Sequence, residues 1–313
     1  MTQDPKGEEL NALIEIVRSN TLEMKKLRRT GLLFKVVSGG IFAIFVGTAV
    51  ISNFKSYQSR NHAHAAVIHI DGEIAANSEA NATRIMKGLR NAFSAEKSLA
   101  VVLDINSPGG SPVQAGMIHD EIKRLKAKYP EKRVVSVIGD AGASGGYYIA
   151  VAADKIYANR ASLVGSIGVR LDSFGFTEVM KKIGVERRLY TAGKYKGVMD
   201  MFTDTDPDSV RFVNELLESV HQQFIQVVKE GRGDRLKDDG TLFTGLAWSG
   251  ESGLALGLID GYGDQRQVVE DILKIESALD YTPMNDIVSK LAGIHVAITR
   301  FVGLTSKLTE LVL

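Results

Sequence analysis

Val134-Val135-Ser136-Val137-Ile138, then Gly139-Asp140-Ala141-Gly142-Ala143, then Ser144-Gly145-Gly146-Tyr147-Tyr148 is the stretch on which the fold turns. Its first five residues form a short, largely β-branched apolar run, as expected of a strand buried on both faces. A glycine-rich turn follows, and the spacing beyond it predicts a helix over about 144–152. Working outward, similar runs stand at Ala66–Ile70 and Leu99–Leu103, and a shorter one at Lys155–Ala158. Helical periodicity lies between them, over 78–93 and over 112–128 before Pro130. Repeated βα units of this kind predict an α/β fold with a mainly parallel sheet covered by helices, its functional loops at the C-terminal ends of the strands. A further helix is expected over 207–229: Asp206 suits the N-cap and Pro207 the first turn. Val210, Val213, Leu217, Val220, Phe224 and Val227 form an apolar stripe, for which packing is the expected role.

The chain has 313 residues, 44% of them apolar and 24% charged, which is the range of ordinary globular proteins. Lys and Arg number 38 against 37 Asp and Glu, so there is no basic excess of the kind that nucleic acid requires. No nucleic-acid partner is expected. Cysteine is absent, which excludes disulfides, thiolate metal sites and thiol nucleophiles. His62 and His64 lack a third nearby ligand, so neither a metal nor a cofactor is expected.

Val36–Ile51 carries no charge, and the run from Gly31 to Asn53 would make roughly 35 Å of helix, enough to span a membrane. Lys25, Lys26, Arg28, Arg29 and Lys35 precede it, against Lys55 and Arg60 after it. The positive-inside rule then places the N-terminus in the cytoplasm and the large domain on the far side of the membrane. The organisation expected is a cytoplasmic tail over 1–30, a transmembrane signal anchor over 31–53, a linker over 54–64, the large domain over 65–280 and an amphipathic tail over 281–313. Residues 8–29 also carry an amphipathic stripe. Arg232-Gly233-Asp234 is read as a loop.

Two glycine-rich strand ends are the candidates for chemistry. Ser144 is ringed by residues without bulk, where a hydroxyl is exposed as a nucleophile needs; it could equally be a simple helix N-cap. At Asn106-Ser107-Pro108-Gly109-Gly110 consecutive glycines could turn N–H groups toward a substrate carbonyl, or form a plain turn. A serine needs a base, and His62, His64, His69, His119, His221 and His295 fall in the linker, a strand, helices and the tail, where structural roles are expected. Lysine serves instead if it is neutral, a state that burial in an apolar pocket favours. Lys194 and Lys196 lie in a segment of low charge, and alternation puts both on one side without choosing between them.

Taken in order, Asp104–Ser111, Gly142–Ala150, Val164–Val169 and Gly193–Gly197 resemble the bacterial signal peptide peptidase A family, over roughly residues 64–275. The resemblance implies a ClpP/crotonase-like fold and a serine endopeptidase with a Ser-Lys dyad. Ser144 would be the nucleophile, Lys196 the general base and Ser166 the residue that orients the lysine, with Gly109 and Gly110 at the oxyanion hole. It also implies a homo-oligomeric ring, each copy giving both catalytic residues or sharing them with a neighbour, and signal-peptide remnants and other apolar peptides as substrates in or near the membrane. Three alternatives stand beside it. An α/β-hydrolase esterase fits Gly142-x-Ser144-x-Gly146 but needs a downstream histidine. The others are a crotonase-like enzyme acting on CoA esters and a catalytically silent membrane scaffold.

Overall fold

The computed structural model describes residues 61–237 and 240–283, together with Arg18, Gly39 and Gly40. The chain divides into two compact units, 1–61 and 62–313. Most of the first unit, the expected span over 31–53 with it, lies outside the described residues, as do the amphipathic segments over 8–29 and 287–313. Among the described residues no helix is long and apolar enough to cross a membrane.

In the second unit β1 (His64–Asp71), β2 (Ser98–Ser107) and β3 (Arg133–Ala143) pair in parallel at the middle of an eight-stranded sheet. β3 is long enough to hold two neighbours in succession. β4 (Lys155–Ala158) pairs with Val135–Ile138, and β5 (Leu163–Gly165) with Ala141–Ala143. β6 (Ala247–Ser249) runs antiparallel to β5, whereas β7 (Gly261–Tyr262) and β8 (Ala278–Asp280) add in parallel to β4 and β1. The sheet is therefore mainly parallel, as expected. Strands β5 to β8 have two or three residues each, too few for a periodic signal.

Alternation along the central strands serves two cores. Ile68, Ile70, Leu103 and Ile105 meet Ile85, Leu89 and Phe93 of α1 (Ala82–Ser94), Ile118 and Ile122 of α2 (Pro112–Lys128), and Tyr147 and Ile149 of α3 (Gly145–Ala150). Each such side chain, fully buried, contributes roughly 2 kcal/mol. On the other face Val67, Val102, Val135 and Val137 pack with Val268, Val269 and Ile275. Burial on both faces is why these strands read as continuous apolar runs. α1 starts four residues later than its periodicity suggested, because the Asn81 side chain accepts the Arg84 N–H at 2.9 Å and fixes the N-cap there.

From 168 to 206 no residue is buried, although the segment is rich in apolar side chains. α4 (Thr177–Ile183) lies within it, and Phe176 stacks on Phe202 at a centroid distance of 5.7 Å and meets Phe174 at a tilt at 6.3 Å. α5 (Pro207–Arg232) follows with the expected Asp206 cap, whose side chain accepts the Ser209 N–H at 3.0 Å. The packing expected of its stripe holds except at its start. Phe224 is buried and Val213, Leu217, Val220 and Val227 are half-buried, whereas Val210 is 45% exposed.

Arg232, expected in a loop, closes this helix and is buried, its Nη1 2.7 Å from Asp260 Oδ2. Arg235 and Lys155 approach the other carboxylate oxygen at 3.2 Å each. Burial opposes charge on Asp260. Hydrogen bonds from Arg232 and the Ile156 N–H, with the charges of Arg232 and Arg235, outweigh it and hold the carboxyl down to about 2.

Candidate active site

Ser144 sits at the corner between β3 and α3 with φ 51° and ψ −121°, a conformation that costs a residue bearing a side chain on the order of 1–3 kcal/mol. The fold holds it there from both sides: its N–H donates to the Gly165 carbonyl at 2.8 Å, and its own carbonyl accepts the Tyr148 N–H at 2.9 Å. The hydroxyl makes no capping bond to α3 and has no hydrogen-bond partner among the described residues. A simple N-cap would show the opposite, so the strain delivers a half-buried, uncommitted hydroxyl.

Gly109 and Gly110 stand beside it at positive φ, 104° and 147°. A Cβ on Gly109 would lie 2.7 Å from both the Ser144 Cβ and the Gly145 nitrogen, so only glycine lets the two loops approach this closely. The buried Ser107 hydroxyl shapes the turn, donating to the Gly72 carbonyl at 2.6 Å and accepting the Gly109 N–H at 3.1 Å. The Gly109 donor is thus committed. The Gly110 N–H has no acceptor among the described residues, because the bridge from Ile74 uses the Gly109 carbonyl and the Ser111 N–H instead. Gly145, first in α3, likewise has a free N–H, and the Gly110 nitrogen is 3.3 Å from where its Cβ would be. Gly145 is a donor that sequence reasoning missed: only the fold shows that the two glycine loops abut.

These groups line one cleft of about 940 Å³ together with Ser166. Ser166 also has positive φ, 50°, and its N–H donates to the Leu246 carbonyl at 2.9 Å. Pro112, Ala115, Tyr148, Val220 and Phe224 supply an apolar wall, with Glu73 and Arg170 as the charged groups of the lining. α5 was expected only to pack, yet it contributes Val220, His221, Gln223 and Phe224 here. Leu217, His221, Phe224 and Val228 share one helical stripe, and a polar ring within it was the available signal.

The lysines lie elsewhere. Lys196 is exposed within the 168–206 segment, its N–H on the Gly193 carbonyl at 3.1 Å, and is not among the residues lining the cleft. Lys194 lies 3.2 Å from Asp208, and hydrogen bonds with Tyr195 and Asp208 push its pKa up. Of the histidines described, His64 stacks on Tyr281, His69 pairs with Asp104 at 3.0 Å, and buried His119 meets Tyr148 edge-on. Among the described residues no cluster of side chains could hold a metal ion.

The model of Peptidase family S49 matches residues 126–279, the stretch holding Ser144, Ser166, Lys196 and His221, and that of Clp protease matches residues 54–167. The Synechocystis sp. protein "Putative protease slr0021" is 30% identical over 203 residues, 63% of this chain and 69% of that protein. This chain belongs to peptidase family S49. Another relative, "Serine protease SPPA, chloroplastic" of Arabidopsis thaliana, is 26% identical over 242 residues, 73% of this chain and 35% of that protein. This chain also matches a Brucella abortus protein named "Na(+)/H(+) antiporter NhaA", 47% identical over 178 residues, 57% of this chain and 24% of that protein. The chain spans about a quarter of the length of the Brucella relatives it matches, so their name describes proteins that it resembles in one part.

Proposed function

We propose that this chain is a serine endopeptidase in which Ser144 attacks the scissile carbonyl and the N–H groups of Gly110 and Gly145 receive the oxyanion. The observation that carries this is the strained, uncommitted Ser144 hydroxyl beside two free N–H donors in one cleft. Lys196 takes the proton from Ser144, and Ser166, facing the same cleft, orients the lysine. Because Lys196 does not line the cleft of its own chain, the dyad is completed in a homo-oligomeric ring in which a neighbouring copy inserts its 168–206 segment. The apolar side chains exposed along that segment favour this reading.

The apolar wall suits peptides with Leu, Ala, Val or Phe near the scissile bond, such as signal-peptide remnants. The uncharged run at 36–51 supports an anchor in a bacterial cell membrane, with this domain outside the cytoplasm. Labelling the full chain with a fluorophosphonate tests the reading. Wild type and Lys194→Ala should label and cleave, Ser144→Ala should do neither, and Lys196→Ala should not turn over substrate. Labelling that persists in Ser144→Ala would end the proposal.

A further inference from the structure

We infer that His221 is a positioning residue, which holds from α5 the turn on which both Ser144 and Ser166 depend. The inference rests on the serine-peptidase reading and adds a side chain which that reading does not use. His221 Nε2 is 3.1 Å from the carbonyl oxygen of Ile167, 54 positions away in sequence. A carbonyl can only accept, so Nε2 carries a proton in either charge state of the ring. The turn that it grips departs from ordinary backbone, with Gly165 at φ 87° and Ser166 at φ 50°. Ile167 is fully buried, and the Gly165 carbonyl is the acceptor that Ser144 leans on at 2.8 Å.

Besides the long bond from the Ser166 hydroxyl to the Gly245 carbonyl at 3.4 Å, three bonds from three segments fix 165–168: the N–H of Ser144, the Leu246 carbonyl and the His221 ring. The first two are backbone to backbone and survive any side-chain change. The third depends on one side chain. Without it Ser166 can relax from positive φ, which moves its hydroxyl and tilts the Gly165 carbonyl beneath the nucleophile. A displacement of about 1 Å in a reacting group costs on the order of 100-fold in rate.

The test is steady-state cleavage of a soluble apolar peptide by the full chain carrying His221→Leu, which keeps bulk and loses the donor, or His221→Gln, which keeps an N–H. His221→Leu should lower kcat about tenfold to 100-fold with KM within about twofold, and His221→Gln should keep kcat clearly above that of His221→Leu and within about tenfold of wild type. The pH–rate profile of His221→Gln should keep the wild-type limb. Wild-type kcat in His221→Leu, a His221→Gln enzyme as impaired as His221→Leu, or a limb that vanishes with His221 would overturn the inference. Should His221→Leu not fold, a His221→Gln kcat within about tenfold of wild type supports the clamp and a greater loss overturns it. Lys196→Ala assayed alongside separates the two ideas: an active Lys196→Ala enzyme sinks the dyad, while the order leucine below glutamine below wild type still establishes the clamp.

Discussion

The corner proposed for catalysis is built on a few residues whose backbone angles are unfavourable taken singly. Ser144 at φ 51° and Ser166 at φ 50° are tied together through the Gly165 carbonyl, and Gly109 packs against the first of them. Strain of this kind persists only where neighbours over-determine it, so the site should be sensitive to volume at the contact between the two loops. Gly109→Ala places a methyl 2.7 Å from the Gly145 nitrogen and the Ser144 Cβ, neither of which can swing aside as a flexible side chain would. The expected outcome is a fall in kcat/KM of at least about 100-fold with slowed fluorophosphonate labelling, in a protein whose circular dichroism is unchanged. Unaltered labelling would mean that the loops are less tightly coupled than their separation implies.

Among the elements, α5 joins the two roles of the domain, since its middle lines the cleft and its last turn anchors the sheet. The anchor is Arg232 on Asp260, with the Ile156 N–H from β4 on the same carboxylate oxygen at 2.8 Å. A carboxyl held down to about 2 contributes stability that is fully present above its unfolded pKa near 4. That contribution is lost as pH falls from about 4 through about 2, and amounts to about 2 kcal/mol. Denaturant unfolding of wild type should therefore weaken between pH 5 and pH 2 by about 2 kcal/mol more than that of Asp260→Asn. At pH 7 Asp260→Asn should be less stable by about 3 kcal/mol, because Arg232 is left buried without its counter-charge. Parallel pH profiles for the two proteins would remove Asp260 from this role.

At the scale of the whole molecule the segment from 168 to 206 is the unfinished part: unburied in the single chain although many apolar side chains lie along it, and carrying the proposed base. If neighbouring copies complete each other's sites, two inactive variants should rescue one another. Co-expression of Ser144→Ala with Lys196→Ala in equal amounts should restore about a quarter of wild-type activity, since in a randomly mixed ring one junction in four pairs an intact serine with an intact lysine. Both residues acting within one chain would give no recovery. Mixed rings isolated through two affinity tags and assayed on the same peptide decide between these outcomes.

By itself the sequence determined the elements with strong periodicity or capping chemistry. The central strands read correctly because burial on both faces leaves an uninterrupted apolar run, α2 because of its helical periodicity, and the start of α5 because Asp206-Pro207 marks its first turn. Two glycine-rich strand ends also stood out, since glycine there announces close approach, and with them Ser144, Gly109 and Gly110. Short strands such as β5 and β6 left no signal, being set by pairing rather than by pattern. Tertiary structure alone decided that the two glycine loops abut, that Gly110 and Gly145 keep free N–H groups, and that His221 reaches Ile167 across 54 residues. It also decided that Lys196 lies outside the cleft of its own chain. Local pattern records what each residue needs from its neighbours in sequence, whereas such contacts depend on where the sheet brings distant segments, and no local propensity encodes that.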